Sequence, residues 1–150
     1  MTVGEICNRN VVVAPKSEMI IDAAKRMRAS HVGDLIVVDH HNGRHVPIGI
    51  VTDRDIVISV VAGDPQHLSY LLVSDVMSSD LITAEEHEGV ETALKMMQEH
   101  GIRRLPVVDS TNTLVGILTL DDILRYLTAQ QSELVALVAR EQQHERQYRT

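Results

Sequence analysis

The chain has 150 residues, 44% of them hydrophobic, with no Trp, no Phe and three Tyr, so its core rests on Val, Ile, Leu, Met and Ala. A formal net charge of −7 opposes general nucleic-acid or anionic-membrane binding, which rests on clustered Lys and Arg. One Cys excludes an internal disulfide framework or a Cys-rich zinc site, and no apolar run reaches the roughly 18 residues of a membrane helix. Residues 1–5 lack the basic-then-apolar pattern of a secretory leader, so a cytoplasmic address is expected.

In chain order, residues 11–13 (Val-Val-Val) read as a short opening strand; twenty Val and twelve Ile favour such elements, because β-branched side chains suit a pleated surface. Ser17 can cap a helix with Ile20, Ala23, Ala24 and Met27 on one face. Asn42-Gly43 then separates strands at 35–39 and 46–51, the strongest short hairpin signal. A second helix begins after Thr52 and runs to about Ala62, where Gly63-Asp64-Pro65 breaks it. The order then recurs. Residues 81–83 open, a helix with Val90, Ala93, Leu94 and Met97 on one face follows, and Gly101 suits its left-handed C-terminal position. Strands at 105–109 and 114–118 flank 110–113, and the closing helix begins after Thr119.

The recurrence is a duplication. Shifted by 70 residues, Val3 falls on Val73, Ala14 on Ala84, Ala23 on Ala93, Met27 on Met97, and Leu35, Val37, Val38 and Asp39 on Leu105, Val107, Val108 and Asp109. The shift then drops to 67, placing Gly49, Ile50, Thr52, Asp55 and Ile56 on Gly116, Ile117, Thr119, Asp122 and Ile123. The three-residue change falls in a loop, where indels are tolerated. The expected fold is α+β, with two strand-helix-strand-strand-helix copies, 1–65 and 66–128, packed face to face about a pseudo-two-fold axis. One copy alone is marginal in size, and the other covers its second apolar face. Residues 129–150 form an amphipathic helix and a polar tail. Leu120, Leu124, Leu127, Leu134 and Val138 keep helical spacing, which suits either the chain's own module or a partner helix.

The repeated pieces are Val73-Ser74-Asp75-Val76-Met77, Gly101-Ile102-Arg103-Arg104-Leu105-Pro106-Val107-Val108-Asp109 and Gly116-Ile117-Leu118-Thr119-Leu120-Asp121-Asp122, with Gly49-Ile50-Val51-Thr52-Asp53-Arg54-Asp55 in copy one. Over residues 1 to about 128 the chain resembles the tandem cystathionine-β-synthase (CBS) domain pair, or Bateman module. The resemblance implies a regulatory module rather than a catalyst. It binds adenosine compounds of the AMP, ADP, ATP, S-adenosylmethionine or NAD class in clefts between the copies. No cofactor is required, and the adenosyl nucleotide is itself the regulatory ligand, read as an energy signal.

Carried over residue by residue, the resemblance assigns Asp122 to the ribose, Thr119 to the helix start, Arg103 and Arg104 to phosphate, and Pro106, Cys7 and Val12 to the same cleft. The second, weaker cleft takes Asp55, Thr52, Arg54, Met77 and Ile82. The chemistry agrees. A carboxylate accepts from both ribose hydroxyls, and a helix N-terminus attracts anions. Thr-x-x-Asp is equally a capping pattern, and the two roles can coexist. Arg103 and Arg104 correspond to Gly33 and Asp34 in copy one. A carboxylate in a phosphate position repels, so the Asp122 cleft is the expected nucleotide site, with Arg54 offsetting part of the difference at Asp55.

Other features say less. His40, His41 and His45 cluster near the Asn-Gly turn without the spacing of a metal site. Cys7 has no neighbouring base to activate it, and Met96-Met97 reads as filler. The closing helices carry Ile56, Val57, Val60, Val61, Ile123, Leu124 and Leu127, more than one buried face needs, which predicts a homodimer. A regulated protein partner is left unidentified. The rival readings are a dimerisation module with vestigial clefts and, least supported, an enzyme, because two repeats leave no room for a catalytic domain.

Overall fold

The structure, a computed structural model, describes residues 1–149; Thr150, the last residue of the expected polar tail, lies outside them. Copy one builds a sheet in which β1 (Val13–Pro15) runs parallel to β2 (Asp34–His41), and β2 pairs antiparallel with β3 (Arg44–Thr52). Copy two repeats it with β4 (Ala84–Glu85), β5 (Arg104–Val108) and β6 (Leu114–Thr119). The duplication extends to irregularities, since both sheets slip register at the same step, after Val37 and after Val107. The opening strands begin later than their apolar runs suggest. Residues 11–12 and 81–83 precede the first ladder pairs, Val13 with Ile36 and Ala84 with Val107. The Asn42-Gly43 turn takes φ values of 53° and 76°, as a tight primed turn demands.

The long helices of the two copies are images, α2 (Ile20–Ser30) and α5 (Val90–His100). Ile20, Ala23 and Met27 are buried in one, Val90, Ala93 and Met97 in the other. Leu94 departs from the expected face and is 36% exposed; one turn from the buried row, it sits at the edge of the stripe. Ser17 does not cap α2. The N-cap is Met19, and the free Ile20 N–H donates instead to Leu71 O at 2.8 Å. Gly101 ends α5 in the left-handed region, while copy one uses His31 at φ 54° for the same stop.

The opening segments are exchanged. In α1 (Val3–Ile6) the Val3 and Gly4 N–H groups donate to Glu88 O and Glu86 O of copy two, both at 2.8 Å. In α4 (Val73–Val76) the Val73 and Ser74 N–H groups donate to Glu18 O and Lys16 O of copy one. Val3 is fully buried in the copy-two core and Val73 in the copy-one core. Each packed unit thus borrows its first helix from the other copy. A third cluster of Ile36, Val38 and Ile117, flanked by Val11, Val13, Ile50 and Leu114, joins the two sheets.

The closing helices differ. After Thr52, α3 (Asp53–Asp55) passes into a π-helical turn over Ile56–Val61. After Thr119, α6 (Leu120–Tyr148) runs unbroken for 29 residues, roughly 43 Å at 1.5 Å per residue. Gln131 does not interrupt it. From Leu127 to Arg149 every residue is exposed. Among the described residues the extension thus presents its apolar stripe to solvent rather than to its own module.

Candidate ligand clefts

The cleft walls begin at the two Gly-Ile-x-Thr corners. Gly49 and Gly116 have no room for a side chain. A Cβ on Gly116 would stand 2.6 Å from Cys7 Sγ and 3.0 Å from Asn8 O, and one on Gly49 would stand 2.7 Å from Met77 Sδ and 2.8 Å from Ser78 O. The exchanged opening segments lie directly over these glycines. Asn8 and Ile117 trade two backbone hydrogen bonds of 2.9 Å, and Ser78 and Ile50 do the same at 2.9 and 3.0 Å. Each corner then ends in a capping box. Thr52 N–H donates to Asp55 Oδ2 at 2.9 Å while Asp55 N–H donates to Thr52 Oγ1 at 3.1 Å. Thr119 and Asp122 repeat this geometry, and the Asp122 Oδ1 oxygen is also engaged by Arg125. Asp55 Oδ1 has no partner among the described residues.

Two cavities open beside these corners, and they are images of each other. One, of about 320 Å³, is bordered by Thr52, Ile82, Ile102, Arg103, Arg104 and Pro106. The other, of about 280 Å³, is bordered by Thr119, Val12, Val32, Gly33 and Asp34, with Arg104 at its edge. Each takes its Thr corner from one copy and both its opening strand and the start of its second strand from the other.

This arrangement splits the residues that the sequence grouped around Asp122. Arg103 and Pro106 share the larger cavity with Thr52 and Ile82, whereas the Thr119 cavity carries Gly33 and Asp34. The reason is topological. Strand β5 lies beside copy two's own opening strand in one sheet, so both face the Thr corner that arrives from copy one. Arg103 and Arg104 do meet Thr119 elsewhere, in a polar depression of about 260 Å³ with Asp121, because Arg104 pairs with Thr119 in the ladder and Leu120 N–H donates to Arg103 O.

The remaining candidates fall outside the cavities. Cys7 and Met77 cover Gly116 and Gly49 and pack into the two cores. Burial pushes the Cys7 thiol up, against the opposing charge of Arg9, which makes it a poor nucleophile. Arg54 is exposed and borders neither cavity. Asp55 and Asp122 sit behind their threonines, turned into the caps. Sequence reasoning missed Ser78 and Asp80 in one cavity and Asn8, Asn10 and His31 in the other; the 70-residue shift pairs Asn8 with Ser78 and Asn10 with Asp80. His40 and His45 face each other as a cross-strand pair, rings edge to face at 4.5 Å, and no group of three metal-ligating side chains forms among the described residues.

Charge is unevenly placed. Arg104 Nε lies 2.7 Å from Asp34 Oδ2. Burial pushes the Asp34 carboxyl up, Arg104 pulls it down and Asp53 raises it again. Arg103 has no ion pair among the described residues and stands at the rim of the larger cavity.

The comparisons with known proteins agree with this architecture. The CBS domain profile matches residues 3–62 and 73–129. An uncharacterized protein of Methanopyrus kandleri is 39% identical over 132 residues, 86% of this chain and 65% of that protein's length. A CBS domain pair solved in complex with 5′-methylthioadenosine and S-adenosyl-L-methionine superposes with a TM-score of 0.73 at 28% identity, covering 87% of this chain and 98% of the other. CBSX2 in complex with AMP gives a TM-score of 0.71 at 29% identity, with the same coverages of 87% and 98%. No described helix is long and apolar enough to cross a membrane. Two family matches at the spacing of the internal repeat, and solved CBS domain pairs that superpose over most of its length, make this chain a member of the CBS domain family carrying a tandem pair.

Proposed function

We propose that the chain is a regulatory module that binds an adenosine-containing ligand, and that a phosphate-bearing one of the AMP, ADP or ATP class enters the Thr52 cavity rather than the Thr119 cavity. The observation that carries this reading is the pairing, in one slot, of apolar walls from Ile82, Ile102 and Pro106 with Arg103 and Arg104. At about 320 Å³ the slot lies at the small end of the range for ligand sites, which run from roughly 300 to 1,000 Å³. The apolar walls accept a purine face. The two guanidiniums meet phosphate in the fork geometry that suits it. Asp55 does not border the slot, but it lies behind Thr52 with one oxygen left by its cap, so a ribose that reaches past Thr52 finds its acceptor there; Asp122 has both oxygens engaged. This reverses the preference that the sequence suggested, because the Arg pair belongs to copy two's side of the Thr52 cavity. The neighbours that bind AMP and S-adenosylmethionine support the ligand class.

The test is a thermal-shift and calorimetry panel of AMP, ADP, ATP, adenosine, NAD and S-adenosylmethionine. At about 100 times its dissociation constant a ligand adds roughly 2.7 kcal/mol, which for a chain of this size raises Tm by about 5–10 °C. One strong nucleotide site per chain is expected, and Asp55→Ala should remove most of the shift while Asp122→Ala keeps it. If no adenosine compound shifts the unmodified chain, the module serves assembly alone.

The same reading includes a homodimer, and one feature favours assembly specifically. Val57, Ile58 and Val61 on the first closing helix are exposed, as are Leu124, Leu127, Leu134, Val135, Leu137 and Val138 on α6. Helices in proteins take most of their stability from packing an apolar face, so a second copy covering this stripe would stabilise the extension. A ligand-dependent change in that dimer is then the signal passed to a regulated protein in the cytoplasm.

A further inference from the structure

Residues 34 and 104 occupy the same place in their copies, one at the start of β2 and the other at the start of β5. Equivalent positions of two packed copies meet at the axis that relates them, and here they meet as an ion pair, Arg104 Nε to Asp34 Oδ2 at 2.7 Å. The carboxylate is 15% exposed and the guanidinium 45%, so Asp34 is the anchored partner and Arg104 the one with freedom to swing. Arg104 borders both the Thr52 and the Thr119 cavity, while Asp34 borders only the second.

We propose that Asp34 and the anionic end of a ligand in the Thr52 cavity compete for Arg104, making residue 34, together with the Asp80 carboxylate in that cavity's wall, a determinant of how much negative charge the two clefts accept. The proposal rests on the ligand reading above. A guanidinium has donors on two edges, but with Asp34 holding one edge an approaching phosphate shares the same cation with a fixed carboxylate, and like charges around one cation oppose each other. Drawing Arg104 toward phosphate leaves Asp34 unpaired in the wall of the Thr119 cavity. That cavity then rejects a second anion and keeps its affinity for an uncharged or cationic adenosyl compound. One chain therefore holds one strongly bound phosphate-bearing nucleotide, with the counter-charge at the pseudo-axis deciding against two.

The experiment is calorimetry of AMP and adenosine against the full unmodified chain, Asp34→Asn and Arg104→Lys. Asn keeps the size and shape of Asp34 and removes the charge. It should tighten AMP about three- to tenfold, the size of one partly screened charge contact, leave adenosine unchanged, and strengthen a second AMP event. Arg104→Lys keeps the charge and loses the fork, so it should weaken AMP and spare adenosine. The AMP-to-adenosine ratio is the deciding readout, since a purely structural loss moves both ligands together. Unchanged or weaker AMP binding by Asp34→Asn, with adenosine still bound, overturns the competition, as do two equal AMP sites on the unmodified chain. If neither AMP nor adenosine binds the unmodified chain, the ligand reading itself fails and the competition falls with it.

Discussion

Gly116→Ala tests the exchange of opening segments at the place where it is tightest. The added methyl would stand 2.6 Å from Cys7 Sγ and 3.0 Å from Asn8 O. The sulfur sits on a half-buried side chain packed against the copy-two core, and the oxygen is tied into the two 2.9 Å bonds between Asn8 and Ile117. Forcing a methyl into a packed site costs about 1–3 kcal/mol. Stretching those two hydrogen bonds adds about 1 kcal/mol. At roughly 2–4 °C per kcal/mol for a chain of this size, a total near 3 kcal/mol lowers Tm by about 10 °C. Gly89→Ala is the control, because its Cβ would meet only Glu91 Oε2 at 3.4 Å with φ at −71°; it should change stability by less than about 1 kcal/mol. Cys7→Ala removes the nearest atom, so the double variant should recover at least about 1 kcal/mol relative to the sum of the singles. Calorimetric or denaturant unfolding measures all four. If Gly116→Ala unfolds no earlier than Gly89→Ala, or the double variant shows no recovery, the opening segment does not press on this glycine.

Two further outcomes are expected. Hydrogen bonds from Thr111 and Thr113 hold the Asp109 carboxyl below its ordinary range. A carboxylate lowered on folding stabilises at pH above its unfolded value of about 3.9 and loses that contribution as pH falls through the lower folded value. The stability gap between the unmodified chain and Asp109→Asn should therefore be constant near neutrality and close below about pH 4; a gap that persists into acid is not electrostatic in origin. On α6, Leu134→Glu with Val138→Glu puts charge on an exposed apolar stripe. Light scattering should show a dimer for the unmodified chain at tens of micromolar and a smaller species for the variant, while a monomeric unmodified chain removes the dimer reading.

Much of this fold was legible because duplication writes every element twice. Val3 with Val73 and Gly49 with Gly116 locate the same joints in both copies, and the Asn-Gly turn and Gly101 stop are local signals that depend on φ alone. The exchange of α1 and α4 was less visible, because nothing in the Val-x-x-x pattern of either segment says which copy's core receives its valine. The capping boxes at Thr52 and Thr119 were readable from spacing. The allocation of Arg103 was not, for a cleft between copies mixes residues by spatial neighbourhood. Asp122 and Arg103 share a copy, yet the sheet turns Arg103 and Ile82 toward copy one's threonine. Ser17 is no cap because the helix starts later than its spacing suggests, with Met19 at the N-cap and Leu71 O, from the connection between copies, accepting from the first helical N–H.

The pair at the pseudo-axis shows what duplication permits that strict symmetry does not. In a two-fold assembly of identical chains, a residue near the axis meets its own copy, so a charge there always faces a like charge. Two Arg at the Arg104 position would repel across the interface, and two Asp would do the same with less solvent to screen them. Fusing the copies into one chain releases residues 34 and 104 from being identical. One becomes Asp and the other Arg, and a repulsive position becomes an ion pair of 2.7 Å. The same divergence makes the clefts unequal, since Gly33 stands opposite Arg103 in the duplication and Asp34 opposite Arg104. The ion pair at the axis and the unequal charge of the two cavity walls thus rest on the same pair of positions. Restoring symmetry with Asp34→Arg would therefore have two consequences at once: a weaker association of the two copies, and a second cleft with the charge to hold phosphate.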